Sequence, residues 1–289
     1  MSVLPTHNRK QALSGYLQGK ALDDDRRIER ARTFDNVAQL YDRGRRAYPE
    51  EFFDDLFALA EIAPDECTVL EVGCGTGQAT VALARRGCRI VCVEMGANLA
   101  RLAHRNLTPF ERVAVVNARF EDFEPGAPFD MVLAANSWHW IDPRSRYEKA
   151  AAALKPGGVL AFTTGCHAFP PGFDPFFTEI QACYDAIGEG RVEGWKPPPP
   201  EQIPDARDEI EQSGLFDDLR VARRVWTEEF TADEYVAMMG TASDHVLMEP
   251  DKRMRLFAEM RRLIDARPDG RIRRHWLTIL HVARRKATR

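Results

Sequence analysis

The chain has 289 residues, 44% of them hydrophobic, and a formal net charge of -4. That length and apolar fraction suit one large domain, or one domain carrying an inserted segment, around a real core. The negative balance excludes a general nucleic-acid binder, because no broad positive field gathers phosphate. The first residues, Met1 to Asn8, contain no apolar signal-like core, and no apolar run is long enough to cross a bilayer. A cytoplasmic protein without membrane contact is therefore expected. Met1 to Arg30 is polar, with a loose tip and a later part that reads as a solvated helix. From Thr33, apolar residues recur at helical spacing (Phe34, Val37, Ala38, Leu40, Tyr41) until Gly44 and Pro49 punctuate the run. Pro49 is expected to open a new helix whose buried stripe is Phe52, Phe53, Leu56 and Phe57.

Alternating strands and helices follow. Thr68–Val72, Arg89–Glu94, Val113–Val116, Asp130–Ala134 and Val159–Thr164 read as strands. Thr80–Arg86, Asn98–Arg105 and Arg146–Leu154 read as helices between them. The alternation implies an α/β, doubly wound, mostly parallel sheet with helices on both faces. Beyond His167 the pattern changes. A helix is expected over Asp174–Ile187, and Lys196 to Pro200 is too proline-rich for helix or central strand. Strand character returns at Leu219–Phe230 and Trp276–Val282, with helices from Ala232 and from Lys252 to Ala266. The six cysteines (Cys67, Cys74, Cys88, Cys92, Cys166, Cys183) form no C-x-x-C pair and no zinc spacing, so buried thiols and no metal are expected.

The stretch Val69-Leu70-Glu71-Val72-Gly73-Cys74-Gly75-Thr76-Gly77-Gln78 carries most of the functional signal. It reads as a strand ending beside a carboxylate, a glycine turn and a helix start, the layout of a nucleotide-binding corner. A dinucleotide site prefers Gly or Ala where Gln78 stands, which counts against a nicotinamide oxidoreductase. S-adenosylmethionine has no phosphate. Its carboxylate needs N–H donors and its ammonium needs acceptors, and Glu71 suits the second need; otherwise Glu71 caps neighbouring N–H groups. Glu94 ends the second strand, where a carboxylate accepts both hydroxyls of a ribose. After the third strand, Arg119-Phe120-Glu121-Asp122 sits where an adenine is read, with Glu121 and Asp122 both open as acceptors. After the fourth strand, Asn136-Ser137-Trp138-His139-Trp140 lies at the carboxyl end of the sheet. Its aromatic faces suit a sulfonium or a flat substrate. His139 is either a general base or a hydrogen-bonded structural residue.

These residues resemble the class I S-adenosylmethionine-dependent methyltransferases, and most of all their small-molecule, trans-aconitate-methyltransferase-like branch. The glycine run, Glu94, Phe120-Glu121-Asp122, Trp138-His139-Trp140-Ile141-Asp142 and Leu154-Lys155-Pro156-Gly157-Gly158 carry the resemblance, with Tyr41-Asp42 and Tyr48-Pro49 upstream. It implies a seven-stranded Rossmann-like sheet with an antiparallel last strand, N-terminal helices and an inserted lid. The chain then divides into an N-terminal segment (1–33), a cofactor-binding core (34–165), a lid (166–217) and closing strands and helices (218–289). The implied cofactor is S-adenosyl-L-methionine, held by Glu71, Gly73, Gly75, Gly77, Glu94, Met95, Arg119, Phe120, Glu121, Asn136 and Trp138. Tyr41, Arg45, Tyr48, Trp138, His139, Trp140 and His167 are the expected acceptor contacts. Arg43, Arg45 and Arg46 suit a carboxylate acceptor or form a solvated basic turn, and Phe169, Phe173, Phe176, Phe177 and Trp195 suit an apolar one. The expected reaction is in-line methyl transfer to a small molecule, a carboxylate or a phenol among the candidates. The alternatives are a non-catalytic adenosyl-binding protein and an enzyme acting on a macromolecule. A monomer or homodimer is expected.

Overall fold

The computed structural model describes residues 24–45, 47–191 and 196–287. Arg46, Trp195 and the expected loose tip lie outside them. Seven strands form one sheet in the order β3-β2-β1-β4-β5-β7-β6. They are β1 (Thr68–Val72), β2 (Arg89–Glu94), β3 (Val113–Asn117), β4 (Phe129–Ala134), β5 (Leu154–Ala168), β6 (Phe216–Thr231) and β7 (Arg271–Arg285). The first five run parallel, and β7 lies antiparallel between β5 and β6. The sheet order reverses beside β1, and an open α/β sheet takes its ligand at such a crevice.

β1 shows why the first five strands are near-continuous apolar runs. Val69 and Leu70 are both fully buried, yet they point into different cores, as the period of two requires. On one face, the Glu50–Ala60 helix inserts Phe52, Phe53 and Leu56 beside Leu83 of the Gln78–Arg85 helix. On the other, Tyr147 and Ala150 of the Arg146–Ala153 helix pack with Ile210 and Phe216. A third core covers part of the carboxyl end of the sheet. There Phe176 and Phe177 meet the Ala232–Met239 and Pro250–Asp265 helices, together with Phe230 and Ile272 from the far ends of β6 and β7.

Several elements depart from the sequence reading. β5, β6 and β7 reach 15 or 16 residues, much longer than their apolar patterns suggest. Their extra length comes from pairing with one another beyond the main sheet, down to Thr231↔Arg271. The helix expected over Asp174–Ile187 is two short pieces, Phe176–Glu179 and Gln181–Ala186, joined through Ile180. Pro49 stands just before the Glu50–Ala60 helix, with an extended backbone. The N-terminal helix, Asp24–Asn36, is not merely solvated, because Arg27 and Thr33 are buried. It also runs across the expected boundary at residues 33 and 34. Asp35 holds it in place: its carboxylate accepts from the backbone N–H groups of Asn98 (2.7 Å) and Leu99 (3.0 Å), in the first turn of the Ala97–Leu107 helix. Those donors have no partner within their own helix, so the contact satisfies both ends.

Candidate active site

The glycine turn begins where β1 ends. Gly73 has φ +69°, and a Cβ there would lie 2.6 Å from the Ser137 Cβ. Only glycine lets the loop after β4 close onto the end of β1. The Ser137 hydroxyl donates to the Val72 carbonyl across the same junction. Gly77 has φ +97° and directly precedes the Gln78–Arg85 helix. Its α-carbon faces Leu107, so its role is the turn and not the cavity wall.

A cavity of about 280 Å³ opens above this turn. Glu71, Gly73 and Gly75 line it from the β1 side, and Glu94 and Met95 from the end of β2. Arg119, Phe120 and Glu121 close it below β3, and Asn136, His139 and Trp140 close it beyond β4. Tyr41, Arg45 and Tyr48 reach it from the segment before the sheet. The turn thus gathers most of the residues picked from sequence around one space.

The acids in this cavity are held tightly. Glu94 Oε2 accepts from the Gly75 N–H at 2.9 Å, and Oε1 from the Gly96 N–H at 2.8 Å. Burial pushes its pKa up to about 7 against the pull of those N–H groups. A carboxylate has about four acceptor positions, so two backbone bonds leave capacity for a diol. Glu71 Oε2 accepts from the Thr80 hydroxyl at 2.7 Å, and burial pushes its pKa to about 7 as well, with Glu94 adding to the rise. Glu121 lines the cavity and Asp122 does not. One Glu121 oxygen already accepts from the Asp142 N–H and lies 3.3 Å from the Arg119 guanidinium.

Asn136 sits at φ +56°, a conformation Asn tolerates better than most residues. Its amide donates to the Tyr48 hydroxyl at 3.1 Å and accepts from Thr163 at 3.1 Å, which fixes the loop. Burial raises the pKa of both Tyr41 and Tyr48, keeping the phenols neutral. His139 is likewise held neutral: burial, with a smaller push from Arg146, lowers its pKa to about 4.

A second cavity of about 1230 Å³ adjoins the first. Arg27, Phe34, Arg45, His139, Gly165, Met238 and Trp276 line both, so the two spaces meet. Trp138 and His167 belong to this larger space and not to the smaller one. Trp138 is 3% exposed, stacked on Phe162 at 5.1 Å and edge-on to Tyr147. His167 packs against Phe169 and Phe177.

Some wall residues escaped the sequence reading. Arg27, Ala31 and Phe34 project from the N-terminal helix into the smaller cavity, and their i, i+4, i+7 spacing was the available signal. Trp226, Glu228, Trp276 and Thr278 enter from β6 and β7, again at a spacing of two. Among the described residues no cluster of His, Cys, Asp and Glu is arranged to hold a metal, and no helix is long and apolar enough to cross a membrane.

Residues 69–158 match a family model described as a methyltransferase domain. An uncharacterized methyltransferase of Mycobacterium tuberculosis is 33% identical over 128 residues, which cover 44% of this chain and 50% of the relative. The tRNA 5-carboxymethoxyuridine methyltransferase of Escherichia coli is 27% identical over 145 residues, covering 45% of this chain and 55% of that protein. The chain thus spans about half the length of these curated relatives. A solved structure from Anaeromyxobacter dehalogenans, described as a candidate type II methyltransferase, superposes with a TM-score of 0.58 at 24% identity. It covers 84% of this chain and 99% of its own, and it shows the shared fold. The glycine corner and strands β1 to β4 all fall within or at the edge of the stretch, 69–158, that matches the methyltransferase-domain model.

Proposed function

We propose that the protein transfers a methyl group from S-adenosylmethionine to a small-molecule acceptor. The observation that carries this reading is the joined pair of cavities: a glycine-walled space with two buried acids, opening into a larger one of mixed aromatic and charged lining. The residues fit the cofactor. Gly73 and Gly75 present backbone where a side chain would intrude. Glu94 retains acceptor capacity for a ribose, and Phe120 with Glu121 offers an apolar face and an acceptor for adenine. Glu71 stands near the turn as an acceptor for the ammonium group. Met95, Arg119 and Asn136 complete the wall, while Gly77 acts through the turn and Trp138 through the packing of the loop after β4.

When bound, the cofactor supplies an electrophilic methyl group on a cationic sulfur. Attack by an acceptor's electron pair on that methyl would break the carbon–sulfur bond and release a neutral thioether, with Glu71, Gly73, Gly75 and Glu94 as the residues that would hold the donor. The leaving group needs no acid. The protein's task is to hold the two reactants in line, which is worth several kcal/mol of the barrier. Tyr41, Arg45, Tyr48, His139 and Trp140 stand in the smaller cavity for this purpose, and His167 borders the larger one. A His139 with a pKa near 4 is a weak base at neutral pH, which favours an acceptor already ionised, such as a carboxylate, over a neutral phenol. The net charge of -4 favours a small acceptor over a nucleic acid.

Calorimetry with S-adenosylhomocysteine and with oxidised nicotinamide dinucleotide tests the cofactor assignment. Release of S-adenosylhomocysteine from S-adenosylmethionine across a panel of acids, phenols and tRNA tests the transfer. Binding of the dinucleotide alone removes the proposal. Turnover on tRNA alone moves the acceptor to the macromolecular class.

A further inference from the structure

The larger cavity contains cations that are already accounted for and two that are not. Arg30 pairs with Asp244, Arg144 with Asp24 and Asp142, and Arg146 with Glu209. Arg45 and Arg274 have no carboxylate within ion-pair distance among the described residues. Arg45 donates through Nε to the Thr241 hydroxyl at 2.9 Å, and its guanidinium lies over the Tyr41 ring. Arg274 lies 4.0 Å from the centre of the Trp276 ring. Its Nη1 reaches only the Met239 thioether at 3.6 Å, a weak acceptor, and its buried Nε has no hydrogen-bond partner. A further polar neighbour is the Tyr235 phenol, a neutral hydrogen-bond partner whose ring centre lies 6.0 Å from the guanidinium. The cross-strand neighbour of Arg274 is Glu228, whose Oε2 accepts from the Trp276 indole at 2.7 Å. Burial lowers the Arg274 pKa and the nearby Arg45 lowers it further, against the opposing pull of Tyr235, Tyr184 and Glu228. Two guanidinium groups that repel each other inside a half-enclosed space mark a place for an anion.

The walls around Arg274 are aromatic: Phe169, Phe177, Tyr184, Tyr235 and Trp276. The volume exceeds what a small aliphatic acid fills. We infer that the acceptor is an aromatic carboxylic acid, its carboxylate bound by Arg274 with Arg45 nearby and its ring body packed between Trp276, Tyr235 and Phe177. The inference rests on the methyltransferase reading above. A guanidinium held over an indole ring keeps its remaining N–H donors for a carboxylate, which such a fork can bind through two hydrogen bonds. Arg45 borders both cavities, so the same anion would be steered toward the cofactor side.

The test uses the full chain saturated with S-adenosylhomocysteine and two probes of one shape, 2-naphthoate and 2-naphthamide. Calorimetry is expected to show the acid binding about tenfold or more tighter than the amide. Arg274→Met should abolish that preference and Arg274→Lys should keep part of it, while S-adenosylhomocysteine binding by each variant reports that it is folded. If the variant does not fold, Arg45→Met provides the second measurement, with a smaller loss of preference expected. Equal affinity for acid and amide, or no binding of the acid to cofactor-loaded protein, overturns the inference and leaves the cofactor assignment standing. Failure of S-adenosylhomocysteine itself to bind overturns the underlying reading instead.

Discussion

Two buried carboxylates, Glu71 and Glu94, border the smaller cavity, and burial pushes both up to about 7. In the unfolded chain each ionises near pH 4.5, so between about 4.5 and 7 the folded protein holds protons that the unfolded chain has released. The stability associated with the neutral form is fully present below 4.5 and is lost as pH rises through about 7. Glu71→Gln keeps an acceptor for Thr80 and removes that loss. It should be more stable than the parent at pH 8, with about 3 kcal/mol as the upper limit, and lose the advantage near pH 5. Denaturant unfolding at the two pH values checks this, and an unchanged difference would mean that Glu71 is not buried with a raised pKa. Glu94→Ala should weaken S-adenosylhomocysteine binding by about 1.5–3 kcal/mol, the range for hydrogen bonds to a charged group. Unchanged affinity by calorimetry would take Glu94 out of the site. At this scale the sequence was informative because the glycine turn and the strand-end acids are local: Glu71, Gly73, Gly75 and Glu94 fall within 24 positions. The choice between Glu121 and Asp122 was not local, because it depends on which way a single short 3-10 turn points its side chains.

At the level of elements, the Asp24–Asn36 helix packs against the Ala97–Leu107 and Ser243–Val246 helices and the loop after β4. Asp35 joins it to the first turn of the Ala97–Leu107 helix, and Phe34 and Arg27 then reach the smaller cavity. Asp35→Ala should cost about 0.5–2 kcal/mol, as the loss of a helix cap does. It should also weaken cofactor binding, because the helix that carries Phe34 loses its anchor. Limited proteolysis provides the check: cleavage ahead of residue 36 should accelerate, and an unchanged rate would show that the helix is held by packing alone. The same element shows where pattern reading stops. Its charged residues outnumber its apolar ones, so hydrophobic spacing suggests a solvated helix, while burial of Arg27 depends on the Trp140 carbonyl more than one hundred residues away. β1 to β4 were legible because buried parallel strands leave short, dense apolar runs. The long β6 was not, since most of its positions are half-buried or exposed and charged, and its extent is set by register against β7.

For the molecule as a whole, the walls of the smaller cavity come from residues 27 to 48, from the ends of β1, β2 and β4, and from 226–230 and 276–278. No segment of the chain holds the site alone, and no local motif announces the distant half of it. A ligand bound there bridges the first described helix, the middle strands and the last strand, so its binding energy should stabilise the whole fold. At a concentration of about one hundred times its dissociation constant, a ligand adds about 2.7 kcal/mol. For a chain of this size that corresponds to a rise in melting temperature of roughly 4–5 °C. S-adenosylhomocysteine should produce such a rise, and oxidised nicotinamide dinucleotide should not. Hydrogen exchange should also slow together in 27–34 and in 276–278, although 242 residues separate the start of one segment from the end of the other only in sequence, not across the cavity. Protection confined to the glycine turn would mean that the helix Asp24–Asn36 and the closing strands do not enclose the cofactor. In that case the two cavities would be filled independently, and the shared wall of Arg45, His139 and Trp276 would not serve the proposed alignment of acceptor and methyl group.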